Sequence, residues 1–168
     1  MDAGLFLIRL VLGLMMAAHG SQKLFGWFGG YGLAGTAGFF DAMGFRPGRL
    51  FATVASASEV GGGLLVTLGL FGPVGSALMV AVMIVAAISV HWQNGLFAVS
   101  NGIELPLLYA AGAAALTLTG PGNYSLDSAL GLTYLWTPGL TWSALGIGIG
   151  GGIVNLLLRR PAASGAKA

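Results

Sequence analysis

Cysteine is absent from the 168 residues. Without a thiol the chain forms no disulfide, ligates no iron–sulfur cluster and carries no persulfide of its own. Charge is almost as scarce. Asp, Glu, Lys and Arg together make up 7% of the chain, and histidine occurs twice. The net charge of +2 is small and the basic residues are scattered, which excludes a nucleic-acid-binding face. No metal site is expected. What abounds is apolar: 56% of residues are hydrophobic, and mean hydropathy is +0.87. A soluble domain of this length cannot hide that much apolar surface. Several runs approach the roughly 20 residues that cross a bilayer as a helix. The expected class is therefore all-α: a polytopic membrane helix bundle.

Five segments read as spans, at about 4–25, 49–71, 73–92, 103–119 and 140–158. Together they form one membrane domain over 1–168. The first carries Arg9 and runs on past a signal-peptide core with no small-residue cleavage site, so it is read as a retained helix. Pro73 suits the start of the third helix, where its missing amide proton costs nothing. Between the first two spans, Leu33, Ala37, Phe40 and Met43 recur at helical spacing and predict a short helix over about 33–44. It is too short to span and is expected to lie over the bundle as a lid, its Phe39 and Phe40 shielding what is beneath. Trp27, Phe28 and Tyr31 read as interfacial aromatics.

The side holding that first connection is here called side B. Lys23, Arg46, Arg49, Arg159, Arg160 and Lys167 gather on it if there are five spans. Basic loops stay in the cytoplasm, so the expectation is a cytoplasmic-membrane protein with its N-terminus outside and its C-terminus inside.

Ionisable residues are costly inside a bilayer, about 2.5–3.5 kcal/mol each at mid-helix, so they face the bundle interior and pair. Lys23 follows His19 by four residues, which puts both on one helical face with Gln22 at its border. Glu59 lies roughly 15 Å along the second span, too deep to reach water easily. His91 and Asn94 end the third span, and Glu104 opens the fourth. These residues are expected to meet in one polar cluster in the side-B half, with Lys23 paired to Glu59 or Glu104. Individually, a snorkelling lysine, an interfacial histidine and a first-turn acid are ordinary features. Glu59 is not, since a carboxyl at that depth needs a partner or a proton. On the opposite side, Arg9 needs an acid. Asp2 sits at a fraying terminus, so an Arg9–Asp127 ion pair of structural role is expected. Gly146/Gly150 and Gly148/Gly152 give small-residue faces for helix association, a possible homo-oligomer contact.

Taken in order, "LIRLVLGLMMAAHGSQKLFG", "TAGFFDAMGF", "SASEVGGGLLVTLGL", "VHWQNGLF" and "GIELPLLYAAGAAALTLTGPGNYSLD" resemble the DoxX family of small membrane proteins, over about Leu5 to Asp127. The family pattern falls on Arg9, His19, Gly20, Lys23, Glu59, His91, Asn94, Gly95, Glu104, Pro106, Ser125 and Asp127. The resemblance implies a four-helix membrane bundle, to which this chain adds a glycine-rich fifth segment. It also implies association with membrane oxidoreductase complexes, including a thiosulfate:quinone oxidoreductase branch and members labelled as quinol oxidases.

The leading expectation is a redox-complex subunit that binds a quinone and acts only with partner proteins. His19, Gln22, Lys23, His91 or Asn94 would donate to the ring oxygens. Glu59 or Glu104 would carry protons, with Glu59, His19 and Lys23 as the catalytic candidates. A haem held by His19 and His91 is the weaker alternative, because a hydrogen-bonded histidine is the commoner fate. A non-enzymatic anchor or assembly subunit is the third.

Overall fold

The computed structural model describes residues 1–160, so Lys167, counted on side B above, lies outside the described residues. Seven α-helices follow one another, with no strand among the described residues. They are α1 (Asp2–Phe25), α2 (Gly32–Ala42), α3 (Gly48–Leu68), α4 (Val74–Ala86), α5 (Glu104–Thr119), α6 (Leu126–Ala129) and α7 (Pro138–Leu157). The helix of α4 continues through a π-wound turn, Ala87–His91, to Asn94. Four helices are long and apolar enough to cross a membrane: α1, α3, the extended α4 and α7. At 16 residues α5 is shorter, about 24 Å.

Local chemistry sets the ends. Gly26 and Gly69 take left-handed backbone after α1 and α3, at φ of 76° and 62°. A side chain would be strained there, so glycine ends both helices. Pro73 caps the start of α4 and Pro138 opens α7. Asp41 closes the turn into α3 by accepting the Gly48 amide at 2.7 Å.

The end of the described chain returns to the first long connection. Past α7, the Arg160 amide donates to the Gly44 carbonyl at 2.8 Å, and Arg159 Nε to the Met43 carbonyl at 2.6 Å. The end of α7 therefore meets the α2–α3 turn. Lys23, Arg46, Arg49, Arg159 and Arg160 all lie at that end of the bundle.

Small residues let the helices close. On α1, a Cβ at Gly20 would come within 2.7 Å of the Val60 amide and 2.8 Å of the Ser56 carbonyl on α3. Gly62 and Gly75 serve the α3–α4 contact in the same way. Gly148 and Gly152, expected on an oligomer face, are turned inward: a Cβ there would lie 2.6 Å from the Ala77 carbonyl and 3.0 Å from that of Ala81. The correction has a simple cause, since α7 needs close backbone approach to pack on α4. Only Gly146 and Gly150 of that set face open space. Gly20→Leu is accordingly expected to force α1 off α3, costing about 1–3 kcal/mol or more. Gly146→Ala is expected to leave detergent-resistant folding unchanged. Equal thermal midpoints for the two variants would contradict this packing.

One buried apolar cluster, Met16, Val66, Met79, Val80, Met83, Ala113, Leu116 and Leu145, joins α1, α3, α4, α5 and α7 at mid-depth. A second, around Phe40, Phe45 and Ala52, seats α2 on the side-B end of α3. Phe40 is buried in that seam, whereas Phe39 is half exposed and borders the cavity described next.

Candidate functional site

Both α3 and α7 pack on α4, and α2 packs on α3. Between them lies an elongated cavity of about 1070 Å³. That is at the upper end of the ~300–1,000 Å³ usual for small-molecule sites. Its length is apolar, running from Val74 and Ala144 past Leu78, Val82 and Ile147 towards side B. Polar groups collect at the side-B end, where Gln22, Lys23, Thr36, Ser89 and His91 line it.

Lys23 connects this cavity to the interior. Its side chain is one-third exposed, and its Nζ forms an ion pair with Glu59 Oε1. Glu59 is fully buried, and its second oxygen, Oε2, has no partner. The pair forms because α1 and α3 pack closely there, putting the last turn of α1 beside the middle of α3. His19 sits one turn before Lys23, its ring edge-on to Tyr109 of α5 at 5.9 Å between centroids. Tyr109 is within electrostatic reach of Glu59. A carboxylate, an ammonium, an imidazole and a phenol thus share one layer of an otherwise apolar bundle. Gln22 Nε2 donates to the Phe28 carbonyl at 3.2 Å and fastens the connection after α1.

The expected single cluster divides here. Asn94 and Glu104 do not join Lys23. The Ala98 amide donates to Glu104 Oε2 at 2.7 Å, and Asn94 Nδ2 donates to the carbonyls of Val90 and Asn101 at 3.3 and 3.2 Å. The physical reason lies in the connection they frame. Residues 95–103 contain only a single 3-10 turn, Ala98–Ser100, so their backbone groups need side-chain partners. Glu104 and Asn94 supply them. His91 stands between the two groups: it lines the cavity while its Nδ1 lies 2.7 Å from the Asn101 carbonyl.

On the far side, the expected Arg9–Asp127 ion pair is not formed. Both residues are buried in one layer, but each finds closer partners. Arg9 donates to the carbonyls of Pro121 and Tyr124. Asp127 accepts three hydrogen bonds, from the Phe71 amide at 2.9 Å, the Gly72 amide at 2.7 Å and Trp136 Nε1 at 2.8 Å. Turns leave backbone groups unpaired, and local amides and carbonyls take up the carboxylate and two of the guanidinium nitrogens, while Arg9 Nε stays buried without a partner and Asp127 acts on Arg9 only through its charge. Nor does Asp2 fray: it accepts from the Asn123 amide and side chain at 3.1 and 2.9 Å.

Tyr109, Ser89 and Trp136 went unnoticed in the sequence. A signal existed for Tyr109 and Trp136, since a phenol or indole within apolar surroundings needs a polar partner. Ser89 carried none, because its environment depends on how its helix is wound.

Comparison with curated proteins gives no match, and comparison with solved structures gives none. The family model described as DoxX matches residues 4–92, covering α1 through the π-turn with Lys23, Glu59 and His91, but not the stretch to Asp127 that the sequence motifs suggested. That match takes in more than half of the 168 residues, and the chain belongs to the DoxX family.

Proposed function

We propose that this membrane protein is a quinone- or quinol-binding subunit of a redox complex in the cytoplasmic membrane, with its C-terminus in the cytoplasm. One observation carries the reading: a long apolar cavity whose polar end is an ammonium paired with a buried carboxylate that has one oxygen unsatisfied. An isoprenoid tail matches the apolar length, and ring oxygens match the donors at its end. When bound, the quinone supplies two-electron, two-proton redox chemistry, the electrons coming from the redox centre of a partner protein. The chain's own residues do the rest. Lys23 has three donors and spends one on Glu59, so it can hold a ring oxygen and keep its pair. Glu59 stands behind it to hold or give up a proton, and His19 and Tyr109 extend the polar layer away from the cavity. The basic side-B end supports the orientation.

Haem fits these residues less well. His19 packs on Tyr109 and is not part of the cavity wall, so it does not share with His91 the space a haem would fill. A purely anchoring role for the glycine-rich last helix is also less supported, because Ala144, Ile147, Gly148, Gly151 and Asn155 of α7 form one wall of the cavity.

Binding in lipid nanodiscs tests the reading. Decylubiquinone is expected to quench tryptophan fluorescence saturably. Val54→Trp, which fills the cavity from the exposed face of α3, is expected to weaken binding at least tenfold with the thermal midpoint preserved. Undiminished binding by that variant, or none by the native chain, would overturn it.

A further inference from the structure

A serine or threonine inside a membrane helix has a ready partner, the carbonyl four residues earlier. Ser21, Ser56, Thr67 and Thr117 all take it, at 2.8, 2.6, 2.8 and 2.9 Å. Ser89 does not. Its Oγ is shut away from solvent and has no partner at all. The cause is local winding. Ala87–His91 is a π-turn, in which backbone bonds skip one residue further than in an α-helix. The added residue shifts Ser89 out of register with the Val85 carbonyl. Such turns are rare and concentrate at functional sites.

His91 closes the same turn. Its Nδ1 meets a carbonyl oxygen, which can only accept, so Nδ1 carries the hydrogen. In the neutral form of the ring, Nε2 is then a bare acceptor. Ser89 and His91 both line the cavity, and Lys23 lines it from α1. A hydroxyl donor and an imidazole acceptor, two residues apart on one turn, are the complement of an oxygen that is a carbonyl in one oxidation state and a hydroxyl in the other.

We infer that the π-turn is a ring-oxygen station: Ser89 Oγ, turned about its Cα–Cβ bond from its enclosed position into the cavity that the residue lines, donates to one oxygen of a prenylated para-quinone, and His91 Nε2 accepts from that oxygen in the quinol. Lys23 donates to the opposite oxygen. The turn recognises both oxidation states and holds the quinol more tightly, because only the quinol satisfies His91 as well. This rests on the quinone reading above, and the experiment separates the two.

The native chain and Ser89→Ala, each in nanodiscs, are titrated with decylubiquinone and decylubiquinol, and the infrared carbonyl bands of the bound quinone are recorded. In the native chain both carbonyl bands are expected to lie below their frequency in empty lipid. Ser89→Ala is expected to return one band to the lipid frequency and to raise the Kd for the quinone at least fivefold. No binding of either probe by the native chain overturns the quinone reading and this inference together. Native binding with one carbonyl band already at the lipid frequency overturns the inference alone, even if Ser89→Ala fails to fold. So does a Ser89→Ala chain with native affinity and bands.

Discussion

Lys23→Met destabilises the bundle more than Glu59→Gln does, although the two substitutions break the same ion pair. The asymmetry comes from burial. Glu59 is fully enclosed, whereas one-third of the Lys23 side chain is exposed at the cavity. With Lys23 gone, the carboxylate keeps neither partner, since its Oε2 is already unsatisfied. Stranding one member of a buried pair costs about 3–5 kcal/mol. With Glu59 neutralised, the long Lys23 chain can swing its ammonium towards the headgroups at side B, and the loss falls to about 1 kcal/mol, the worth of an ordinary hydrogen bond. The double variant, Lys23→Met with Glu59→Gln, is expected to recover much of the loss caused by Lys23→Met alone. Denaturation by a graded detergent mixture, followed by circular dichroism, measures all three. A double variant less stable than Lys23→Met would mean that the pair does not hold α1 to α3.

Asp127→Ala is the second large loss, and it arises on the opposite side of the membrane. This carboxylate accepts from two backbone amides and an indole. It joins the α3–α4 turn to the segment after α5, and its own amide donates to the Gly69 carbonyl at 2.9 Å. Removing it leaves three donors unpaired, at about 1–3 kcal/mol for the buried Gly72 amide and less for the partly exposed Phe71 amide and Trp136 indole. A total loss of about 3 kcal/mol is expected. Trp136→Phe removes one donor, the indole N–H, and should cost less. Because the two side chains touch, their combined effect is expected to fall short of the sum. Arg9, bound to carbonyls of the same segment, is expected to couple to Asp127 weakly. Strong Arg9–Asp127 coupling in a double-mutant cycle, with additive Asp127 and Trp136 effects, would reverse the assignment of partners made here.

Much of the architecture was legible without coordinates, because it rests on local properties. A run of apolar residues needs only its own length to predict a span, and the four longest helices lie within such runs. The short helix between α1 and α3 shows in its periodicity. The depth of Glu59 follows from counting residues along a helix, and its need for a partner follows from the cost of burying charge. Lys23 was expected beside Glu59 or Glu104, and charge alone did not choose between the two acids.

Partner choice was not legible where several candidates stood at similar depth. Glu104 and Asn94 looked like members of the Glu59 layer because each sits at a helix end on side B. Only the path of residues 95–103 shows that its backbone claims them first. Arg9 and Asp127 looked complementary because they were the spare charges on one side, yet each met unpaired backbone groups before meeting the other. The glycines of α7 could face a second copy or a neighbouring helix, and spacing is identical in the two cases.

The sequence by itself determined the class of molecule, the places where helices begin and end, and the few side chains that must find company inside the membrane. Those properties depend on residues close in the chain and on the fixed geometry of a helix. The tertiary structure alone decided which company each side chain keeps: Lys23 with Glu59, Tyr109 beside His19, Asp127 among three donors, Ser89 with none. Those outcomes depend on distances between helices of only a few ångströms, and periodicity along one helix carries no information about its rotation against the next.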